Sequence, residues 1–457
     1  MVTDMVIRLS ILLLLVGCSA VVSFPDDCAT DRECESFFVC KSGYCVVPNK
    51  PPDACRTLLG LNSTNGDGAY HDKSALRIGF LAPMSGPNGR IGQEMSAAIQ
   101  MGALEINASG GVADREIVVI ACDSATPGEF EETHLKWLID DAHVPFVIAP
   151  VMNANSEAIL TRQTSDSRWI AIAPVYGPLQ NEAAQRSGAF WVMEPSFGLQ
   201  LNQLVDMSVD GSVALVGGRS DLHKTRTEAT HGSLCASNNC DDDDIINLSM
   251  DTVTTPSIVD ALAQNSVNKV IFIGHSDELI ELIREAASTE ALQDLEIVAS
   301  ASAYDVEALT QLETMEEIRL RSQLTGLRFR QPEPPPFDFD DRFQNFYRES
   351  LSAGPHAAYA YDALALAAFV YAAKGGNELS SRLDTNRQIR RFVGGDEKLV
   401  VGSERFPESV ALLQSRPSAS FDLVGVSGQL DFADDGFANG EVETWSFDEM
   451  SADLMSE

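Results

Sequence analysis

IGFLAPMSGPNGRIGQEMSAAIQMGALEINASGGVADREIVVIACD, from Ile78 to Asp123, changes its hydrophobic period twice within one stretch. An apolar run predicts a strand from Leu76 to Ala82, and a Pro-Met-Ser-Gly turn follows it. Met95, Ala98, Ile99, Gly102 and Ile106 then recur along one face of a helix predicted from Gly92 to Asn107. A second apolar run, Ile117 to Ala121, completes the unit. Strand, amphipathic helix and strand in this order is how a chain builds a parallel sheet covered by helices.

The same rhythm extends outward. Strands are predicted at Phe146 to Ala149 and Ile170 to Ala173, with helices at Glu129 to Asp141 and Asn155 to Thr164, so that one α/β lobe ends near Glu194. A second set starts at Val213 to Val216 and continues with Val270 to Ile273, a helix from Asp277 to Ala287, and Ile297 to Ala299. Between its first strands, the polar segment Arg219 to Asn247 reads as a surface loop closed by a Cys235–Cys240 disulfide. The run Asp241 to Asp244 lacks the spaced ligands and turn glycine of an EF-hand and reads as solvated charge rather than a calcium site. Beyond Gly326 to Phe329 and the stiff Pro332 to Pro336 stretch, helices are predicted at Asp338 to Leu351 and His356 to Lys374. Short strands follow from Val424 around the Asp434-Asp435-Gly436 turn.

At the other end, Arg8 precedes the apolar run Leu9 to Val16, too short to span a bilayer but right for an export signal. It ends in Leu15-Val16-Gly17-Cys18, which resembles the bacterial lipobox, so residues 1–17 read as a signal peptide and Cys18 as the lipidated first residue. The competing reading is an ordinary secretory signal, which the Asn-x-Ser/Thr triplets at Asn62, Asn107 and Asn247 would suit. No later stretch matches the ~18 apolar residues of a span; Ala357 to Ala373 contains Asp362 and tyrosines. The expected protein is tethered by lipid, facing the periplasm or cell surface, and spans no membrane.

Of nine cysteines, eight remain once Cys18 is lipidated, and an even number in an exported chain favours disulfides. Cys28, Cys34, Cys40 and Cys45 lie in a segment, residues 18–55, too small to bury a core, so two crosslinks among them are expected, in any of three pairings. Zinc is the rival there, but no Cys-x-x-Cys pair or nearby histidine supports it. With Cys235 assigned to Cys240, Cys55 and Cys122 pair by elimination. Pro48, Pro51, Pro52 and the NSTNGDG run give linker character from Val46 onward, with residues 56–73 as the linker proper.

Lys and Arg total 32 against 67 acidic residues, a formal charge of −35, which excludes a phosphate backbone as partner. The chain has no Gly-x-Ser-x-Gly elbow, Walker loop, His-Glu-x-x-His or dinucleotide fingerprint, so no enzyme activity, cofactor or metal is expected.

The Ile78 to Asp123 stretch resembles the opening of the type I periplasmic binding proteins of the branched-chain amino acid, leucine-binding-like group. HAAYAYDALALAAFVYAAKGG, starting at His356, resembles that family's tyrosine-rich helix, and GVSGQLDFADDGF, starting at Gly425, its closing motif. The resemblance implies an α/β, two-lobed type I periplasmic binding protein fold with three interlobe crossovers, preceded by the small cysteine-rich segment. Residues 74–194 and 327–424 would form lobe 1, and residues 195–326 and 425–457 lobe 2, with crossings near Glu194, Gly326 and Gly425.

The resemblance further implies an extracytoplasmic binding protein for ABC-type uptake, with a ligand between the lobes where strand ends and helix N-termini converge. Matching loops give Ser85, Gly86, Asn153, Ala154, Asn155 and Tyr176 from lobe 1, and Gly274, His275 and Ser302 from lobe 2, as the candidate contacts. Tyr176 packing under the hinge and Asn155 capping the next helix are alternatives. Family members usually carry Ser or Thr where this chain has Asn153 and Tyr176, so the expected ligand is a small polar molecule such as an amino acid, an amide or a relative. Its partner would be an ABC permease or a sensor protein; a surface interaction protein with a vestigial cleft is the other reading.

Overall fold

The computed structural model describes residues 28–29, 33–34, 38–61, 70, 74–86, 88–125, 129–164, 169–178, 190–208, 212–238, 245–330, 339–347, 355–377, 379, 381–402, 404–447 and 454–456. Cys18 and the predicted signal, the acidic run 241–244 and the proline stretch 332–336 lie outside them.

A two-stranded hairpin, β1 (Val39–Lys41) and β2 (Tyr44–Val46), comes first. The first large sheet takes β3 (Thr57–Leu59), β4 (Leu76–Ala82), β5 (Ile117–Asp123), β6 (Phe146–Ile148), β7 (Ile170–Ala173) and β8 (Phe190–Pro195). The second takes β9 (Val213–Gly217), β10 (Ile246–Ser249), β11 (Lys269–Ile273), β12 (Glu296–Ala299) and β13 (Leu324–Phe329). A pair beside the first lobe, β14 (Glu397–Val400) and β15 (Phe421–Val424), precedes β16 (Phe437–Ala438), β17 (Val442–Phe447) and β18 (Leu454–Ser456). Strand order is β16-β8-β7-β6-β4-β5-β3 in the first sheet and β10-β9-β11-β12-β13-β17-β18 in the second. Both sheets are parallel at the centre, with β3 added antiparallel to one and β17 and β18 to the other.

In the deciding stretch, β4 and β5 pair from Leu76↔Ile117 to Ala82↔Asp123. The helix Gly89–Ala108 between them starts directly behind the turn because Gly92 has no side chain; a Cβ there would lie 1.9 Å from the carbonyl oxygen of Pro83. That helix packs against Pro355–Ala373, whose buried Tyr359, Tyr361, Leu364 and Phe369 join the first lobe's main core. Gly102 is the close-contact point, since a Cβ there would meet the Tyr361 ring at 3.0 Å. The second lobe has its own core of Val216, Ile258, Phe272, Leu282, Ile297 and Leu324.

Three expectations change. Residues 57–59 are not linker but β3, paired antiparallel to β5 and joined to it by the Cys55–Cys122 disulfide. The polar segment after β9 is not a loop: it forms the helix Asp221–Asn238. Its buried residues include His223, Arg226, Thr227 and Thr230 beside Leu222 and Leu234, so its apolar period is weak, and Thr227 and Thr230 satisfy their buried hydroxyls on the carbonyls of His223 and Arg226. The chain also changes sheet for the last time between Ala438 and Val442 rather than near Gly425, because β16 pairs with β8 while β17 pairs with β13.

The cysteine-rich segment holds Cys28–Cys40 and Cys34–Cys45 disulfides, two bridges among the four residues expected. It sits on the first lobe, where Asn49 donates to Asp141 at 3.0 Å and accepts from the Trp137 indole on its backbone carbonyl at 3.1 Å. Cys235 is buried near the end of its helix, and Cys240, its expected partner, lies outside the described residues. The Asn107 carboxamide binds Gly60 and Ile117 backbone groups, so it is committed to the fold. Among the described residues no helix is long and apolar enough to cross a membrane.

Candidate functional site

On the first lobe, the turn after β4 is tied to the end of β5: Ser85 Oγ donates to Asp123 at 2.9 Å, and the Met84 amide donates to the other carboxylate oxygen at 2.8 Å. Gly86, at φ +72°, supplies the left-handed bend. After β6, Asn153 Oδ1 accepts the amides of Asn155 and Ser156, at 3.0 and 3.1 Å, and so caps the helix Ala154–Thr164. Ala154 and Asn155 are exposed in its first turn. The ring of Tyr176 lies in the core, edge-on to Phe190 and Phe437, while its carbonyl accepts from Arg226 of the second lobe at 3.1 Å.

On the second lobe, Glu278 joins the ends of β9 and β11 by accepting the Arg219 amide at 2.7 Å and the His275 amide at 2.9 Å. Burial pushes its carboxyl pKa up, against the pull of those two amides. Gly218 and Gly274 close around this carboxylate, and a Cβ on Gly218 would lie 2.2 Å from it. His275 is the N-cap of the helix Ser276–Ala287. Ser302 is buried in the turn after β12, 3.5 Å from Ser300, and Gln200 accepts the neighbouring Ala301 amide at 2.9 Å.

Between the lobes, three imidazoles stand in a row. His223 and His275 of the second lobe meet edge-on with ring centroids 4.5 Å apart, and His275 meets His356 of the first lobe at 5.1 Å. Nδ1 of His356 lies 3.5 Å from Glu94, which Arg90 holds at 2.9 Å while pairing across the cleft with Asp277. Glu194 of the first lobe pairs with Arg226 of the second, both buried. Asn88 and Asp221 exchange hydrogen bonds of 2.9 and 2.7 Å, and Leu222 sits in the first lobe's core cluster. The lobes are therefore in contact along a polar seam.

That seam is short of partners. Both ring nitrogens of His223, Nε2 of His275, Nε of Arg226 and Nε2 of Gln200 are buried without a hydrogen bond. Leaving such a group unsatisfied costs about 1–3 kcal/mol. Burial drives the His275 pKa down to about 3, against the pull of Glu94, and that of His223 well below its usual value, with neighbouring cations adding to the effect. For Glu94 burial works toward the neutral acid, but His356, His275 and Arg90 prevail and hold the carboxyl ionised, at about 2.

Of the residues proposed from sequence, His275 reaches this seam with its ring and Tyr176 with its backbone carbonyl; Gly274 lies against Phe272 and Glu278 of its own lobe, the Ser85–Gly86 turn is exposed, Asn153 to Asn155 open a helix, and Ser302 is enclosed behind β12. Sequence reasoning did not find Glu94, Glu194, His223, Arg226, Glu278 or His356. A polar residue on the otherwise apolar face of the Gly89–Ala108 helix was the signal available for Glu94.

A family model described as periplasmic binding protein matches residues 75–390, and the chain belongs to that family, one of extracytoplasmic solute-binding proteins rather than enzymes. No curated protein matches the chain. Among solved structures, the branched-chain amino acid transporter substrate binding protein LivJ from Streptococcus pneumoniae, in complex with isoleucine, is 17% identical with a TM-score of 0.58, covering 84% of this chain and 99% of its own. A solute binding protein of an ABC transporter from Rhodopseudomonas palustris, in complex with 3,4-dihydroxy benzoic acid, is 12% identical with a TM-score of 0.60, covering 84% and 95%. A fatty acid ABC transporter substrate-binding protein from Thermomonospora curvata is 14% identical with a TM-score of 0.58, covering 84% and 91%. At these identities the likeness establishes the type I periplasmic binding fold.

Proposed function

We propose that this chain is an exported, lipid-anchored solute-binding protein that captures a small polar molecule between its lobes and presents it to an ABC permease. The observation that carries this reading is the set of buried, unpartnered polar atoms contributed by Gln200, His223 and Arg226 on helices of the second lobe and by His275 at a helix start. Such atoms are expensive to bury and are satisfied by a ligand that both donates and accepts hydrogen bonds. Apolar cargo of the fatty acid kind fits this lining poorly. An amino acid, an amide or a related molecule fits it, with His275 at the seam and Ser85, Gly86, Asn153, Ala154, Asn155, Tyr176, Gly274 and Ser302 on the surrounding loops, turns and helix starts.

A ligand that binds only the folded protein raises its apparent stability by about 2.7 kcal/mol at a hundredfold excess over its dissociation constant. A thermal-shift screen of amino acids, amides, short peptides and small carboxylates is expected to return at least one such solute, with the shift lost in Arg226→Met. An empty screen would favour a surface interaction protein with a vestigial cleft. The anchor has its own test: Cys18→Ser should move the protein from the membrane to the soluble fraction, and unchanged membrane association would remove lipidation from the account.

A further inference from the structure

We propose that closure of the two lobes is gated by pH through His223 and His275, which form a row with His356 that is buried while the lobes touch and reaches solvent when they part. The inference takes from the previous section only that the lobes open and close, and it holds whatever the ligand is. His223 and His356 flank His275 from opposite lobes, at 4.5 and 5.1 Å, so closing the seam desolvates all three rings together.

The charged groups around the row leave it little room for protons. From the Gly89–Ala108 helix come Arg90 and Glu94, already paired with each other; from Asp221–Asn238 comes Arg226, already paired with Glu194 of β8. The Ser276–Ala287 helix contributes Asp277, which meets Arg90, and Glu278, which is committed to two backbone amides yet lies 3.6 Å from His223. Tyr359 of the Pro355–Ala373 helix is buried, and its hydroxyl pKa is raised, first by that burial. Glu94 and Glu278 face the outer rings, His356 and His223; for His275, burial of the ring outweighs the pull of Glu94 toward its charged form.

The sign follows from linkage. His223 and His275 have depressed pKa values in the closed form, so the open form binds more protons once the pH falls below about 6.5, the ordinary imidazole value. Closure is fully supported above that pH and is lost progressively beneath it. At pH 5.5 each of these two histidines shifts the closed–open equilibrium about tenfold toward the open form.

Small-angle scattering of the full chain without added solute, from pH 7.5 to pH 5.5, reads this directly. The radius of gyration should match the closed structure at pH 7.5 and rise below about pH 6.5, and it should stay flat in the double variant His223→Gln/His275→Gln. A wild-type radius that does not change with pH, or a double variant that rises like the wild type, would overturn the proposal. If the double variant does not fold, nitrogen-15 histidine spectra of the wild type decide: the His223 and His275 rings must stay neutral until the radius rises, and titration of these two rings at their ordinary pKa with no change in size contradicts the gate. Because no solute is added, an empty ligand screen leaves this proposal standing, and a pH-independent seam leaves the ligand reading untouched.

Discussion

Asn153 commits its carboxamide oxygen to two backbone amides of the helix it caps. Asn153→Ala should therefore cost about 1 kcal/mol of stability in urea unfolding and change affinity for a screened ligand little. Lost affinity at unchanged stability would move the residue to the ligand's contacts. Arg226 and Glu194 behave differently, because each is buried and neutralises the other across the seam. Arg226→Met leaves Glu194 uncompensated and should destabilise the closed protein by about 3–5 kcal/mol. The double variant Arg226→Met/Glu194→Leu should recover most of that loss, and a double variant as unstable as the single would show that the pair is not what matters. Single residues were hard to assign from sequence for the same reason. An asparagine after a strand serves a helix cap and a ligand equally well, and only the hydrogen bonds separate the two.

The edge strand β3 depends on covalent support: three residues paired antiparallel to β5 are held by Cys55–Cys122, which closes a separation of 67 residues. In the chain-entropy account such a loop is worth about 4 kcal/mol. Replacing both cysteines by serine should lower the midpoint of chemical unfolding accordingly while the second lobe's core is unaffected; no change in midpoint would mean that β3 is held by its backbone pairing alone. Elements with an apolar period were legible. β4, β5, β7 and the helices Gly89–Ala108 and Pro355–Ala373 lie where their runs placed them, within a few residues. The helix Asp221–Asn238 was not, because its inward face carries His223, Arg226, Thr227 and Thr230, which a hydrophobic pattern cannot register. β3 escaped notice because prolines and polar residues on either side of a three-residue strand give a linker's composition.

At the scale of the molecule, the order of the family's motifs was enough to anticipate two lobes, because repeated β-α units admit few topologies. The seam was beyond reach. Glu94, His223, His275 and His356 come from helices or helix starts spread over most of the chain, and nothing local in the sequence marks them as neighbours. The last sheet change was misplaced for a related reason: Phe437–Ala438 is a two-residue strand whose partner, β8, is distant in sequence. What these long-range contacts build is a seam of unsatisfied polar atoms between two lobes, bridged in part by Leu222 and Ala301 in the first lobe's core cluster, and the proposed function stands on a ligand occupying it. Hydrogen exchange of the protein with and without the solute giving the largest thermal shift tests this most directly. Protection is expected on both sides of the seam together, in residues 89–95 and 355–360 of one lobe and 217–227 and 273–279 of the other. Protection confined to a single lobe, or to the cysteine-rich segment at residues 38–55, would contradict it.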